Sequence, residues 1–217
     1  MPRQNRVTPF SELIATPARG TLMGNRGCLH DNQGTIRRNY QGKRWISCLL
    51  TFKNRRRVVM TPGQYTELFF LDEATALAAG HRPCAECQRE RFNHFRTLWA
   101  TANPHLAGSP TPTVGIIDAV LHHERLQRRP EPVQLNTLPD GAFVTCGADR
   151  AAYLVWQEEL FRWHPFGYEP VKQGCVEQII VCLTPPSIVR TLAAGYHVHI
   201  KLPFSSDPNP VINSPVS

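Results

Sequence analysis

Two cysteines three positions apart, in the segment "LAAGHRPCAEC", constrain the fold of this chain more than any other feature. Cys84 and Cys87 follow Gly80 and a rigid Arg-Pro step. A C-x-x-C turn can point both sulfurs at one metal ion, at about 2.3 Å each, and a helix that follows fixes the second thiolate. The spacing therefore predicts half of a tetrahedral zinc site.

Helical patterns lie on both sides of this cysteine pair. The segment "DEATALAAG" predicts a helix that Asp72 caps and Gly80 ends in a left-handed turn. After Cys87, Phe92, Phe95 and Trp99 recur at helical spacing. A thioredoxin-type redox pair instead opens a helix after a strand, so a pair that follows a helix favours metal binding.

Two further zinc ligands are required, because structural zinc sites hold four protein donors. The candidates in this half of the chain are Cys28, His30, Cys48, His81 and His94. Cys28 and His30 lie in the glycine-flanked loop "NRGCLHD", which can bring both side chains together, and either His81 or His94 could replace Cys28. Cys48 lies in an apolar strand pattern, which favours an ordinary buried residue. The predicted zinc ligands are therefore Cys28, His30, Cys84 and Cys87.

The charge of the chain is unevenly distributed. Residues 1–105 hold 16 Lys and Arg against 7 Asp and Glu, a balance of +9, while residues 106–217 hold 8 against 10, a balance of −2. Basic clusters neutralise phosphates and release counterions, so the first half predicts a nucleic-acid partner. The alternative is a basic face that is simply solvated. The predicted contact residues are Arg37, Arg38, Arg44, Lys53, Arg55, Arg56, Arg57 and Arg89.

A β-hairpin is predicted to carry the second of these basic clusters. The segments "RWISCLLTF" and "RRVVM" are rich in β-branched, aromatic and aliphatic residues, and "KNR" separates them. The positive tip of such a hairpin could reach a nucleic-acid backbone.

The fold class predicted from these patterns is α+β. The Pro- and Gly-rich stretch "ANPHLAGSPTPTVG" coincides with the change in charge sign and predicts a linker. We expect a zinc-binding domain over residues 1–105, with a hairpin and helices around the knuckle. Residues 106–202 are expected to form an α+β domain with short antiparallel strands, and residues 203–217, with their several prolines, a disordered tail.

Composition points to the cytoplasm. No run of about 18 apolar residues predicts a membrane span, and the first residues, "MPRQNRVTPFSEL", lack the apolar core of a secretory signal. Seven cysteines cannot all pair, so a disulfide framework is not expected.

A second group of polar residues lies in the segment "IIDAVLHHERL". Asp118 and His122 are four positions apart on a predicted helix, with Glu124 nearby. A carboxylate that orients a histidine suits general acid–base catalysis, although such pairs also stabilise helices. This group predicts the alternative function, a hydrolase or modifying enzyme that acts on nucleic acid or nucleotides. A third possibility is a zinc-stabilised interaction module without a nucleic-acid role.

The string "FLDEATALAAGHRPCAEC" resembles the second half of the metal-binding domain of the Ada family of DNA-repair proteins. In that family an alanine-rich helix ends in glycine, and an Arg-Pro-Cys step and a C-x-x-C complete a zinc site. The resemblance covers about 20 residues strongly and implies zinc at Cys84 and Cys87. It also implies DNA as the partner, DNA repair or modification as the setting, and methyl transfer from a phosphotriester to a zinc-bound cysteine. Cys28 is the candidate acceptor by position, but the first ligand pair of the family, C-x-x-x-C, is not matched here.

Overall fold

Two β-sheets and five α-helices make up the part of the chain that the structure, a computed structural model, describes. The predicted mixed α+β class is therefore confirmed. The described residues are 1–55, 58–127, 132–146, 150–171 and 180–202.

The first sheet has six strands in the order β2-β1-β5-β3-β4-β6. Its pairs are antiparallel except β1 with β5 and β4 with β6, which are parallel. Its strands are β1 (Gln4–Val7), β2 (Leu13–Ala15), β3 (Leu22–Asn25), β4 (Ile46–Leu49), β5 (Leu68–Phe70) and β6 (Arg82–Pro83).

Helices α1 (Glu73–Ala78) and α2 (Arg89–Ala102) lie on either side of the cysteine pair, as predicted. The Asp72 carboxylate accepts the Thr75 backbone N–H at 2.9 Å and so caps α1. Gly80 ends this helix turn with φ 78°. A side chain there would also collide with Arg125, since a Cβ would lie 2.4 Å from the Arg125 Cδ. The predicted helix boundaries follow from this capping chemistry.

The second half of the chain forms an antiparallel sheet in the order β10-β9-β8-β7-β11, together with three helices. The short antiparallel strands predicted within residues 106–202 are confirmed. These elements are α3 (Pro104–Ala107), α4 (Val114–Leu126), β7 (Phe143–Cys146), β8 (Ala152–Trp156), β9 (Glu159–His164), β10 (Gly167–Pro170), β11 (Ile180–Cys182) and α5 (Pro186–Ala193), with a 3-10 turn at Leu135–Thr137.

The largest hydrophobic core contains residues from both halves of the chain. Leu77 and Trp99 from the first half pack in one cluster with Leu121, Phe143 and Leu192 from the second, and each is at most 5% exposed. Residue 105, the predicted domain boundary, therefore does not mark a break in this core.

Two buried acids at the start of α1 tie the C-terminal segment to the rest of the fold. Asp72 accepts hydrogen bonds from the Tyr168 hydroxyl at 2.7 Å and the Lys201 backbone N–H at 3.1 Å. Glu73 accepts the Tyr196 hydroxyl at 2.7 Å and the His199 backbone N–H at 3.0 Å. The start of α1 is therefore a junction as well as a helix cap.

The predicted hairpin is wrong. Strand β4 pairs with β3, not with "RRVVM"; the described part of that segment, residues 58–60, is not a strand. Met60 there has φ 60°, and its N–H bonds the Glu67 carboxylate at 2.7 Å, which fixes a turn. The segment "FSELIA" contains β2, and the segment "YHVHIK" forms no strand. Residues 203–217, the predicted tail, lie outside the described residues.

Replacing Asp72 tests the junction. Asp72→Ala removes the helix cap and leaves the Thr75 and Tyr168 hydroxyls and the Lys201 N–H without this acceptor, so we expect a loss of about 2–4 kcal/mol in the free energy of unfolding. Asp72→Asn keeps the oxygen that caps α1, and we expect a smaller loss of about 1–2 kcal/mol. Urea unfolding followed by circular dichroism measures both. The exposed Glu159→Gln is the control and should change stability by less than about 0.5 kcal/mol; losses no larger than that of the control in both Asp72 variants would contradict the junction.

Candidate metal centre

Three thiols converge at one edge of the first sheet. The sulfurs of Cys48, Cys84 and Cys87 all lie within 4.8 Å of one another. A metal ion with thiolate ligands at about 2.3 Å requires sulfurs at such separations. The arrangement can therefore hold a metal ion.

The parallel pairing of β4 and β6 brings these cysteines together. Ile46 and Ser47 of β4 pair with Arg82 and Pro83 of β6. The next hydrogen bond in this ladder runs from the Cys84 backbone N–H to the Ser47 carbonyl at 2.9 Å. Cys48 is the residue after Ser47, so this pairing places the C-x-x-C turn next to the Cys48 side chain.

Backbone N–H groups of the turn point at the sulfurs. The Glu86 N–H donates a hydrogen bond to the Cys84 sulfur at 3.4 Å, and the Cys87 N–H donates to the same sulfur. The Leu49 N–H acts on the Cys87 sulfur. Such donors stabilise thiolates rather than thiols, so the turn is arranged for the charged form that binds metals.

The three thiols release their protons unequally. Hydrogen bonds from the Cys48 and Cys87 thiols hold the pKa of Cys84 far below its usual range. The hydrogen bonds of Cys48 with the Cys84 and Cys87 sulfurs, together with burial, raise the pKa of Cys48. One thiolate therefore forms readily, whereas three neighbouring thiolates require a cation that offsets their charge.

The centre has a buried side and an open side. Cys48 and Cys84 pack with Met23 in a small hydrophobic cluster, and each of the three is at most 8% exposed. Cys87 is half-buried at the rim of this cluster. Beyond it, Arg55 and Glu86 form an exposed ion pair at 2.5 Å.

A buried ion pair anchors the Arg-Pro step before Cys84. The Arg82 guanidinium donates to both carboxylate oxygens of Asp118, at 2.8 and 2.9 Å, and to the Pro83 carbonyl at 3.0 Å. The two side chains are 2% and 10% exposed. Asp118 therefore connects helix α4 to the cysteine turn.

The structure does not assemble the predicted catalytic group. In the described chain, no side-chain hydrogen bond or ion pair joins Asp118 to His122 or Glu124. His122 contacts Arg125 through its Nδ1 at 3.3 Å, and burial lowers its pKa, with a smaller effect of Arg125 and Lys43. Glu124 accepts the backbone N–H and the hydroxyl of Ser187, at 3.0 and 2.6 Å. These three residues have separate structural partners.

Two of the predicted metal ligands, Cys28 and His30, are not brought to the cysteine group. The Cys28 sulfur contacts the His30 carbonyl at 3.7 Å. The His30 ring contacts the Thr66 hydroxyl at 2.6 Å and the Thr61 carbonyl at 3.2 Å, so both ring nitrogens are engaged. These contacts hold the loop in place, whereas its glycines had predicted a loop that could bring both side chains to the metal.

The other candidates also lie apart from the sulfurs, except Cys48. His81 is fully buried between Trp45 and Phe70, with ring centroids 5.1 and 4.7 Å apart, and burial lowers its pKa. His94 is exposed and stacks on Tyr196 at 5.6 Å. Cys48 is buried, as predicted, but it also belongs to the sulfur group. A strand holds a ligand more rigidly than a loop does, so the strand pattern around Cys48 was the sequence signal that favoured it as a ligand.

All the described residues of the predicted nucleic-acid contact set are exposed. Two of them are in ion pairs: Arg37 with Asp31 at 2.6 Å, and Arg55 with Glu86. Arg56 and Arg57 lie outside the described residues. The exposed members are Arg37, Arg38, Arg44, Lys53, Arg55 and Arg89.

Comparison with known proteins gives no relative: no family model, no curated protein and no solved structure matches this chain. Among the described residues, no helix has both the length and the apolar character needed to cross a membrane.

Breaking the ion pair next to Cys84 should destabilise the fold. Asp118→Ala leaves the Arg82 charge buried, so we expect a loss of about 3–5 kcal/mol in the free energy of unfolding by urea titration. His122→Ala, on the same helix, should cost about 1 kcal/mol or less. Replacing both partners, in Arg82→Met/Asp118→Leu, should cost less than Asp118→Ala alone. A larger loss in His122→Ala than in Asp118→Ala would refute this assignment.

Proposed function

We propose that this chain is a zinc-binding protein that binds nucleic acid, with DNA the favoured partner. The convergence of Cys48, Cys84 and Cys87 is the observation that carries the proposal. In it the metal holds β4 to the cysteine turn, and the exposed basic residues next to the centre contact phosphates.

The donor set suits zinc. Thiolates bind soft and borderline ions, and zinc accepts tetrahedral sulfur coordination without redox change. The N–H groups that point at Cys84 favour its charged form. Bound zinc would cross-link two sheet strands through their side chains, and its binding free energy would add to folding stability.

The surface beside the centre suits a polyanion. Lys53 and Arg55 are exposed, and their charged groups lie 5.3 and 5.4 Å from the ring centre of Phe52. Basic side chains around an aromatic ring are a common arrangement for contacting phosphates and stacking bases. The excess of 16 basic over 7 acidic residues in residues 1–105 supports the same partner.

The resemblance to the Ada family supports DNA over RNA. It rests on the alanine-rich helix, the Arg-Pro-Cys step and the C-x-x-C. Methyl transfer is not part of the proposal, because Cys28, its candidate acceptor, contacts the His30 carbonyl and not the three thiols.

Single cysteine replacements test the zinc centre. We expect the purified protein to hold one zinc per chain, measured by plasma mass spectrometry after dialysis. Cys48→Ser should lose most of this metal, because serine replaces a thiolate with a much weaker ligand. Cys28→Ser should retain it. Equal zinc contents in Cys48→Ser and the unmodified protein would disprove the assigned ligand set.

Salt-dependent binding tests the nucleic-acid partner. Fluorescence anisotropy with a labelled DNA duplex should give an affinity that falls steeply with salt. Arg44→Gln/Lys53→Gln should reduce the slope of log K against log salt by about 2, about 1 for each lost phosphate contact. Lys201→Gln, an exposed lysine in the second half of the chain, is the matched control. Absence of salt-dependent binding to DNA and RNA would end this part of the proposal.

A further inference from the structure

The thiol cluster provides three protein donors where tetrahedral zinc takes four ligands. Within the described ranges, Cys48, Cys84 and Cys87 are the only His, Cys, Asp or Glu residues that form such a group. Structural zinc sites close their shell with four protein ligands, whereas sites with three leave a position for an exchangeable ligand. A centre with three protein donors therefore has a position for an exchangeable ligand.

Two other candidate donors, Glu86 and His30, already have partners. Glu86 lies in the cysteine turn itself, but its carboxylate bonds the Arg55 guanidinium at 2.5 Å. Both ring nitrogens of His30 are engaged by Thr66 and Thr61. None of these groups can become a metal ligand without breaking contacts that the fold already makes.

The exposed side of the cluster is where an outside ligand would enter. Cys48 and Cys84 are each 8% exposed, and the hydrophobic cluster around Met23 covers them. Cys87 is half-buried. The exposed ion pair between Arg55 and Glu86 lies beside this entrance, because Glu86 is the residue before Cys87. An anionic donor can approach here, and the approach from the buried side is blocked.

We propose that the fourth metal ligand comes from solution: a water molecule that a small thiolate displaces. This inference rests on the proposed zinc site. Zinc with three thiolates carries a net charge of −1, and it still accepts a soft anionic donor at its fourth position. In the exchange, the thiol R–SH loses its proton to the buffer, its sulfur forms the bond to zinc, and the zinc–water bond breaks. No oxidant or reductant takes part.

The chemical class of ligand is thus a low-molecular-weight thiol. In the thiolate complex, the Arg55 guanidinium would be shared between Glu86 and the additional negative charge. The centre would then be a binding site for thiols as well as a cross-link between β4 and the cysteine turn.

X-ray absorption at the zinc edge, on the full chain loaded with zinc, tests this inference. In thiol-free buffer we expect three sulfurs and one oxygen per zinc. With excess 2-mercaptoethanol we expect four sulfurs, and removal of the reagent should restore the first spectrum. The cobalt-substituted protein should show a matching, saturable change in its visible bands. Arg55→Gln should weaken this titration several-fold, whereas the matched control Arg44→Gln should not.

Four protein donors would overturn the inference. Four sulfurs, or three sulfurs and an imidazole, in thiol-free buffer would show a closed site. Loss of the fourth sulfur in Cys28→Ser, or in the same variant of Cys175, which lies outside the described residues, would identify the donor. Either result would leave the proposed zinc site intact. Absence of bound metal would overturn both, and Cys146→Ser should change nothing because this thiol lies in the second sheet.

Discussion

The short parallel ladder between β4 and β6 is the contact on which the rest of the site depends. It consists of two residue pairs, with backbone hydrogen bonds from Arg82 to Trp45 and from Cys84 to Ser47, yet it brings residues 36 positions apart in sequence, Cys48 and Cys84, to the same point. Because β6 is so short, it needs support from outside the sheet. Asp118 provides that support through Arg82. The geometry of the thiols therefore depends on a helix from the other half of the chain.

The sequence was most informative where local chemistry decides the structure. Asp72 caps α1 and Gly80 adopts a positive φ because helix ends require such residues. The recurrence of Phe92, Phe95 and Trp99 at helical spacing identified α2, because these residues form its buried face. These rules act over a few residues, so a single sequence contains all the information they need, and they placed Cys84 and Cys87 in a turn between helices.

Long-range pairing was the part that the sequence could not supply. The segment "RRVVM" has the apolar content of a strand, but β3, more than 20 residues before β4, takes the place beside it. Cys48 was misjudged for a related reason. A buried cysteine on a strand has the same sequence pattern whether or not two other thiols face it. Likewise, Asp118 and His122 share a helix, but only the tertiary structure reveals that Asp118 binds Arg82.

The junction at the start of α1 sets a limit on how the chain can be divided. Asp72 and Glu73 are both 2% exposed because Tyr168, Tyr196 and the backbone near residue 200 cover them. A fragment that stops at residue 105 would place these carboxylates, and the apolar side of α1 next to them, in water. The cysteine turn follows directly on this helix. Metal affinity measured on such a fragment would therefore describe a cysteine turn that follows a helix without its packing partners.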